Sequence, residues 1–225
     1  MKTFLLPQPV KQSLISTCPV LDDARQPLAR LISVALNPLM LVAPLFWLLG
    51  AAGHEPGPAR ELLFISVLFF AVLPFGLLLL FLKAKRIESL EIRNRSRRPL
   101  PFLLGIALYG AGFALLISVE GPFGLIQNAA FALLWSSVLA SVITLWWKIS
   151  IHCTAIAMAA YYAGFTGAAL LSPAGSLLLA AAGLLLSAAV AWSRITLNAH
   201  TPAQSIAGLA FGFAAAALTL QFYPV

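Results

Sequence analysis

Ser193-Arg194-Ile195-Thr196-Leu197-Asn198-Ala199-His200-Thr201-Pro202-Ala203-Gln204 is a polar island between two apolar runs, 176–192 and 205–222. Each run is close to the roughly 20 apolar residues that cross a bilayer. Working outward, similar runs recur at about 154–171, 125–147, 102–119, 62–82 and 31–50. The 225 residues are 61% hydrophobic and 9% charged, against about 45–50% and about 25% in a soluble domain. Mean hydropathy is +0.95. This reads as an all-α polytopic membrane bundle of six to seven transmembrane helices. It leaves no room for a separate extramembrane domain. Cys18 and Cys153, the only cysteines and far apart, exclude a disulfide scaffold.

Residues 1–30 read as an N-terminal arm lying on the membrane surface. Lys2 and Lys11 bracket Pro7 and Pro9, and Asp22, Asp23 and Arg25 close the segment without a long apolar stretch, so it is not a secretory signal. Residues 31–225 form a single transmembrane domain whose first helix is bent by Pro38 and Pro44. With seven crossings, thirteen of the fourteen Lys and Arg fall on the N-terminal side and only Arg60 on the other. The positive-inside rule then sets the N-terminus in the cytoplasm, in an inner (plasma) membrane.

Ionisable residues in so apolar a chain are candidates for function, and they gather in three groups. The loop from Lys83 to Pro101 carries seven basic residues between 83 and 98. Lys148-Ile149-Ser150-Ile151-His152 follows the Trp146-Trp147 end of a helix. The third group is the island at 193–204. Two helices separate each group from the next, so all three meet at one membrane face. Arginines, a lysine and two histidines there form an anion site, best suited to phosphate. Helix N-termini after Ser150 and Thr201 add N–H donors.

Thr201-Pro202-Ala203-Gln204 also reads as a capping box, which leaves Arg194 and His200 unexplained. His54, in the opposite Gly/Pro-rich loop, reads as surface. Gly208 and Gly212 form a small-xxx-small face, suited to close helix packing within the chain or in a homo- or hetero-oligomer. Glu88 and Glu91 stand in the basic loop, but no acid neighbours either histidine, so neither a metal nor another cofactor is expected. Metal-free phosphoryl transfer needs arginine clamps, a nucleophile and a general acid. Imidazole serves the last two roles.

The third group resembles the SRxxxxxHxxxD motif of the type 2 phosphatidic acid phosphatase (PAP2) superfamily, through Ser193, Arg194 and His200, with Gln204 at the Asp position. Ser150-Ile151-His152 is similar to its PSGH motif, with Ile149 for Pro and Ile151 for Gly. Arg98-Pro99 is similar to the end of KxxxxxxRP, with Glu91 at the Lys position. The motif-bearing core spans about 83–215, and its wording resembles a bacterial branch. The resemblance implies that His200 is a nucleophile forming a phosphohistidine and that His152 protonates the leaving group. It implies that Arg98 and Arg194 hold phosphoryl oxygens, assisted by Ser150, with Arg95 or Arg93 replacing the missing Lys; Lys148 joins the phosphate-binding set as the lysine of the anion site.

The implied substrate is a membrane phospholipid or polyprenyl diphosphate in the lipid bilayer, and no nucleic acid is expected. Gln204 can still fix a histidine tautomer but supplies no charge, and Ile151 crowds the backbone where phosphate approaches. A lipid phosphatase is the leading reading. A catalytically weak or inactive PAP2-like subunit or lipid-binding scaffold is the alternative. A transporter would show charges or broken helices at mid-membrane depth, and a prenyltransferase would show Asp-rich motifs.

Overall fold

The structure is a computed structural model describing residues 19–53, 56–87, 89–90, 92, 97–121 and 124–222. Among these residues the fold is helical, with no strand. The helices are α1 (Pro19–Ala35), α2 (Pro38–Gly53), α3 (Pro56–Val67), α4 (Leu73–Lys83), α5 (Pro99–Glu120), α6 (Leu125–Trp146), α7 (Ile151–Leu170), α8 (Pro173–Thr196) and α9 (Pro202–Phe222). Six helices are long and apolar enough to cross a membrane, or seven if the bent pair Ala24–Ala35 and Pro38–Ala52 is one span. The expected helix count and all-α class agree with this.

The bend lies at Asn37 and amounts to 49°. Asn37 caps the second half, its Oδ1 accepting from the Leu39 N–H at 3.0 Å, while Pro38 sits at the first position and cannot continue the ladder from α1. Pro44 lies inside α2 without ending it. α1 begins at Pro19 and runs unbroken to Ala35, so no helix boundary falls at residue 30.

α3 and α4 join through one π-helical turn, Leu68–Val72, giving a continuous span Arg60–Lys83. The cause is Pro74, which has no N–H to donate. The Leu73 N–H reaches back to the Leu68 carbonyl, a five-residue bond that absorbs the defect. The bulge carries Phe70, which stacks on Tyr109 of α5 with centroids 4.8 Å apart and tilts against Phe46 of α2 at 5.7 Å.

α7 occupies the centre, packed against α2, α8 and α9. Lipid tails are as apolar as leucine, so close contact rather than water exclusion holds such helices together. A Cβ on Gly208 would stand 2.6 Å from the Ser150 carbonyl oxygen, and one on Gly212 would overlap that of Thr154. The small-xxx-small face therefore seats α9 on α7 within the chain. Deeper in the bundle, Tyr162 donates its hydroxyl to Asn128 Oδ1, and Asn128 Nδ2 donates to the Thr219 carbonyl at 3.2 Å. That polar knot ties α6, α7 and α9 together.

Candidate functional site

The two connections at one end of the bundle, 147–150 and 197–201, lie side by side. Lys148 Nζ donates to the Ala199 carbonyl oxygen at 2.8 Å, bridging them directly. Ser150 caps α7, its Oγ accepting from the Cys153 N–H at 3.4 Å. His152 follows in the first turn of α7 and is 9% exposed.

Ser193 and Arg194 are not in a loop. They form the last turn of α8, and the chain leaves the helix through Asn198 in the left-handed region, φ 52°. The Ala199 and His200 N–H groups both point back to the Arg194 carbonyl, at 3.1 and 3.3 Å. This closes the terminus as a left-handed residue permits and places His200 over the end of α8.

Thr201 and Gln204 form the capping box read from the sequence. The Gln204 N–H donates to Thr201 Oγ1 at 3.3 Å, and the Thr201 N–H donates to Gln204 Oε1 at 3.2 Å. The same Oε1 lies 3.3 Å from His200 Nδ1. Because the Thr201 N–H fixes which end of the amide is oxygen, the imidazole must donate from Nδ1, leaving Nε2 with its lone pair.

Among the described residues, charge at the site has one sign. The His200 pKa is pushed down to about 4, first by burial, then by the Lys148 and Arg194 charges, with the Gln204 hydrogen bond opposing and Arg98 adding a smaller push. Arg98 is 5% exposed; Nε donates to the Ile92 carbonyl at 2.8 Å, while Nη1 is buried with no hydrogen-bond partner among the described residues. Burial, then Arg194, lowers the pKa of Arg98. Three cations thus act on one neutral histidine, and among the described residues no carboxylate acts on it.

Of the residues singled out from the sequence, Arg98, Lys148, Arg194, His200 and Gln204 are joined by these contacts and fields, with Ser150 and His152 at the adjoining start of α7. Arg95 and Arg93 lie outside the described residues, as do Glu88, Glu91 and His54. No group of three His, Cys, Asp or Glu suited to a metal occurs among the described residues. Two contacts were not visible in the sequence: Arg194 Nη1 donates to Ser33 Oγ, and Ser193 Oγ donates to the Ala29 carbonyl at 2.7 Å. Both partners are on α1, 161 and 164 residues away along the chain.

The molecule is an apolar helical bundle fit for a membrane, with a cationic, histidine-centred cluster at the ends of its helices. Its carboxy-terminal part is similar to the PAP2 superfamily, whose family model matches residues 129–225, from within α6 to the end of the sequence. Members of that superfamily are phosphatases, and the match supports a hydrolase at that coarse level. No curated protein and no solved structure matches the chain.

Proposed function

We propose that this is an integral-membrane phosphatase that removes phosphate from a lipid phosphomonoester or diphosphate through a phosphohistidine. One observation carries the reading: Arg98, Lys148 and Arg194 converge electrostatically on a neutral His200, and a buried Arg98 N–H is left without an acceptor among the described residues. Buried cations are costly when uncompensated. A phosphoryl group would supply Arg98 Nη1 with the acceptor it lacks among the described residues and bring negative charge to the cluster.

In this mechanism His200 Nε2 attacks phosphorus while Nδ1–H donates to Gln204. An N–P bond forms, the bond from phosphorus to the leaving oxygen breaks, and His152 donates a proton to that oxygen. Water then attacks the phosphohistidine, giving its proton to His152. The N–P bond breaks, releasing inorganic phosphate and neutral His200. Arg98 and Arg194 hold the non-bridging oxygens and stabilise their developing charge, with Ser150 and the α7 N-terminus assisting and Arg95 available from the basic loop. The mechanism assigns no step to a metal. The thirteen basic residues on one side support a cytoplasmic active face in the plasma membrane.

The neutral Gln204 favours a second reading, a weak or inactive scaffold, since an uncharged partner cannot steady an imidazolium. Phosphate release by the purified protein separates the two. The panel is phosphatidate, phosphatidylglycerol phosphate, a polyprenyl diphosphate and a lipid A phosphate, each with EDTA present. Turnover that His200→Ala abolishes supports the enzyme. Binding of inorganic phosphate with no turnover on any lipid supports the scaffold.

A further inference from the structure

Arg194 reaches out of α8 to a helix that lies outside the matched stretch 129–225. Its Nη1 donates to Ser33 Oγ of α1, and both residues are buried, at 3% and 2% exposure. The neighbouring Ser193 hydroxyl donates to the Ala29 carbonyl, one turn earlier on α1. That carbonyl is the one a helical serine at position 33 would ordinarily back-bond. Two consecutive residues of α8 therefore grip two positions one turn apart on α1. Ile32 and Leu36 pack beneath them with Val190 and Cys153.

We propose that Ser33 is a positioning residue for the phosphate site, holding Arg194 so that the rest of its guanidinium faces the anion beside His200. The proposal rests on the reading that Arg194 binds a phosphoryl oxygen. A guanidinium is a planar fork, so fixing one N–H fixes the directions of the others. The choice of a hydroxyl matters. A carboxylate in its place would hold the arginine more firmly but neutralise it and compete with the phosphoryl oxygens. A serine hydroxyl orients the cation without itself adding negative charge. In this arrangement α1 is part of the site.

The test uses the full chain in detergent, with inorganic phosphate as ligand and inhibitor and a lipid phosphate as substrate. Ser33→Ala removes the acceptor, and Ser33→Cys nearly removes it while keeping most of the volume. Both should weaken phosphate binding and lower kcat/KM by about tenfold, the scale of a lost charge-assisted hydrogen bond. Ser33→Thr should restore both. If Ser33→Cys or Ser33→Ala binds phosphate as the wild type does, the proposal is wrong. If Ser33→Cys restores what Ser33→Ala loses, the residue only fills space and the proposal is again wrong. Arg194→Lys separates the underlying reading: if it binds phosphate as the wild type does while His200→Ala still abolishes turnover, Arg194 is not a phosphate ligand and the role of Ser33 falls with it.

Discussion

Gln204 Oε1 accepts from the Thr201 N–H and lies 3.3 Å from His200 Nδ1. A single amide oxygen thus starts α9 and sets the histidine tautomer. The capping and orienting roles are compatible because His200 immediately precedes the capping residue. Among the described residues, His200 has no anionic neighbour to offset burial and three cations.

The pH dependence is a direct consequence. With its pKa near 4, His200 keeps the Nε2 lone pair at all pH values well above 4, so the acid limb of kcat/KM should fall near 4. An ordinary histidine would place it near 6.5. Gln204→Glu retains the reach of the side chain and adds a negative charge. It favours the imidazolium, so the limb should move upward toward the ordinary value. A pH–rate profile of the two proteins checks this; identical acid limbs would show that Gln204 does not govern His200.

Lys148 acts in two separable ways. Its Nζ ties the two connections through the Ala199 carbonyl, and its charge is the largest single cation acting on His200. Lys148→Gln keeps a donor but drops the charge, so the His200 pKa should rise with the melting temperature little changed. Lys148→Met drops both, so it should also loosen the 197–201 connection and cost about 1 kcal/mol of stability. The His200 titration, followed by NMR alongside thermal unfolding, distinguishes the two effects.

The proposed acid and nucleophile should differ in their sensitivity to the leaving group. His200→Ala should reduce turnover to background on every substrate, since nothing replaces the attacking nitrogen. His152→Ala should cost roughly 100-fold or more on a phosphomonoester. It should cost clearly less on a diphosphate, whose leaving group needs less protonation. Single-turnover rates on a matched monoester and diphosphate make the comparison. Equal losses on both would remove His152 from the role of acid.

Much of this was legible in the sequence for definite reasons. A bilayer demands long apolar runs, so α5 to α9 announced themselves, and an even number of crossings brought Arg98, Lys148 and His200 to one face. The Thr201–Gln204 box is a local pattern and formed as read. What escaped was non-local or depended on backbone detail. Ser33 reads as an ordinary helical serine, and its partner lies 161 residues away. The exact end of α8 beyond Arg194 carries no proline or glycine to mark it; it is made by Asn198 in a left-handed conformation. The π turn before Pro74 left no mark in a stretch that is apolar throughout. Asn128 looked unremarkable until Tyr162 and Thr219 surrounded it.

The contact of α9 with α7 yields the last prediction. α9 carries Gln204 and begins at the His200 turn, while α7 begins at Ser150 and His152, so their spacing sets the distance between the two proposed halves of the chemistry. A Cβ on Gly212 would overlap the Thr154 carbonyl oxygen and lie 2.9 Å from Ala157 Cβ. The first neighbour is backbone and cannot swing aside, so Gly212→Ala must push the helices apart. Overpacking of this kind costs about 1–3 kcal/mol, and activity should fall with it although residue 212 lies more than two turns from Gln204. Gly110 supplies the control. It is also helical, but nothing stands within 4 Å of the Cβ it would gain, so Gly110→Ala should be neutral or stabilise by up to about 1 kcal/mol through helix propensity. Thermal unfolding in detergent and phosphate release, measured on both variants, decide the matter. A Gly212→Ala protein as stable and active as the wild type would show that the close approach of α9 to α7 does not set the site.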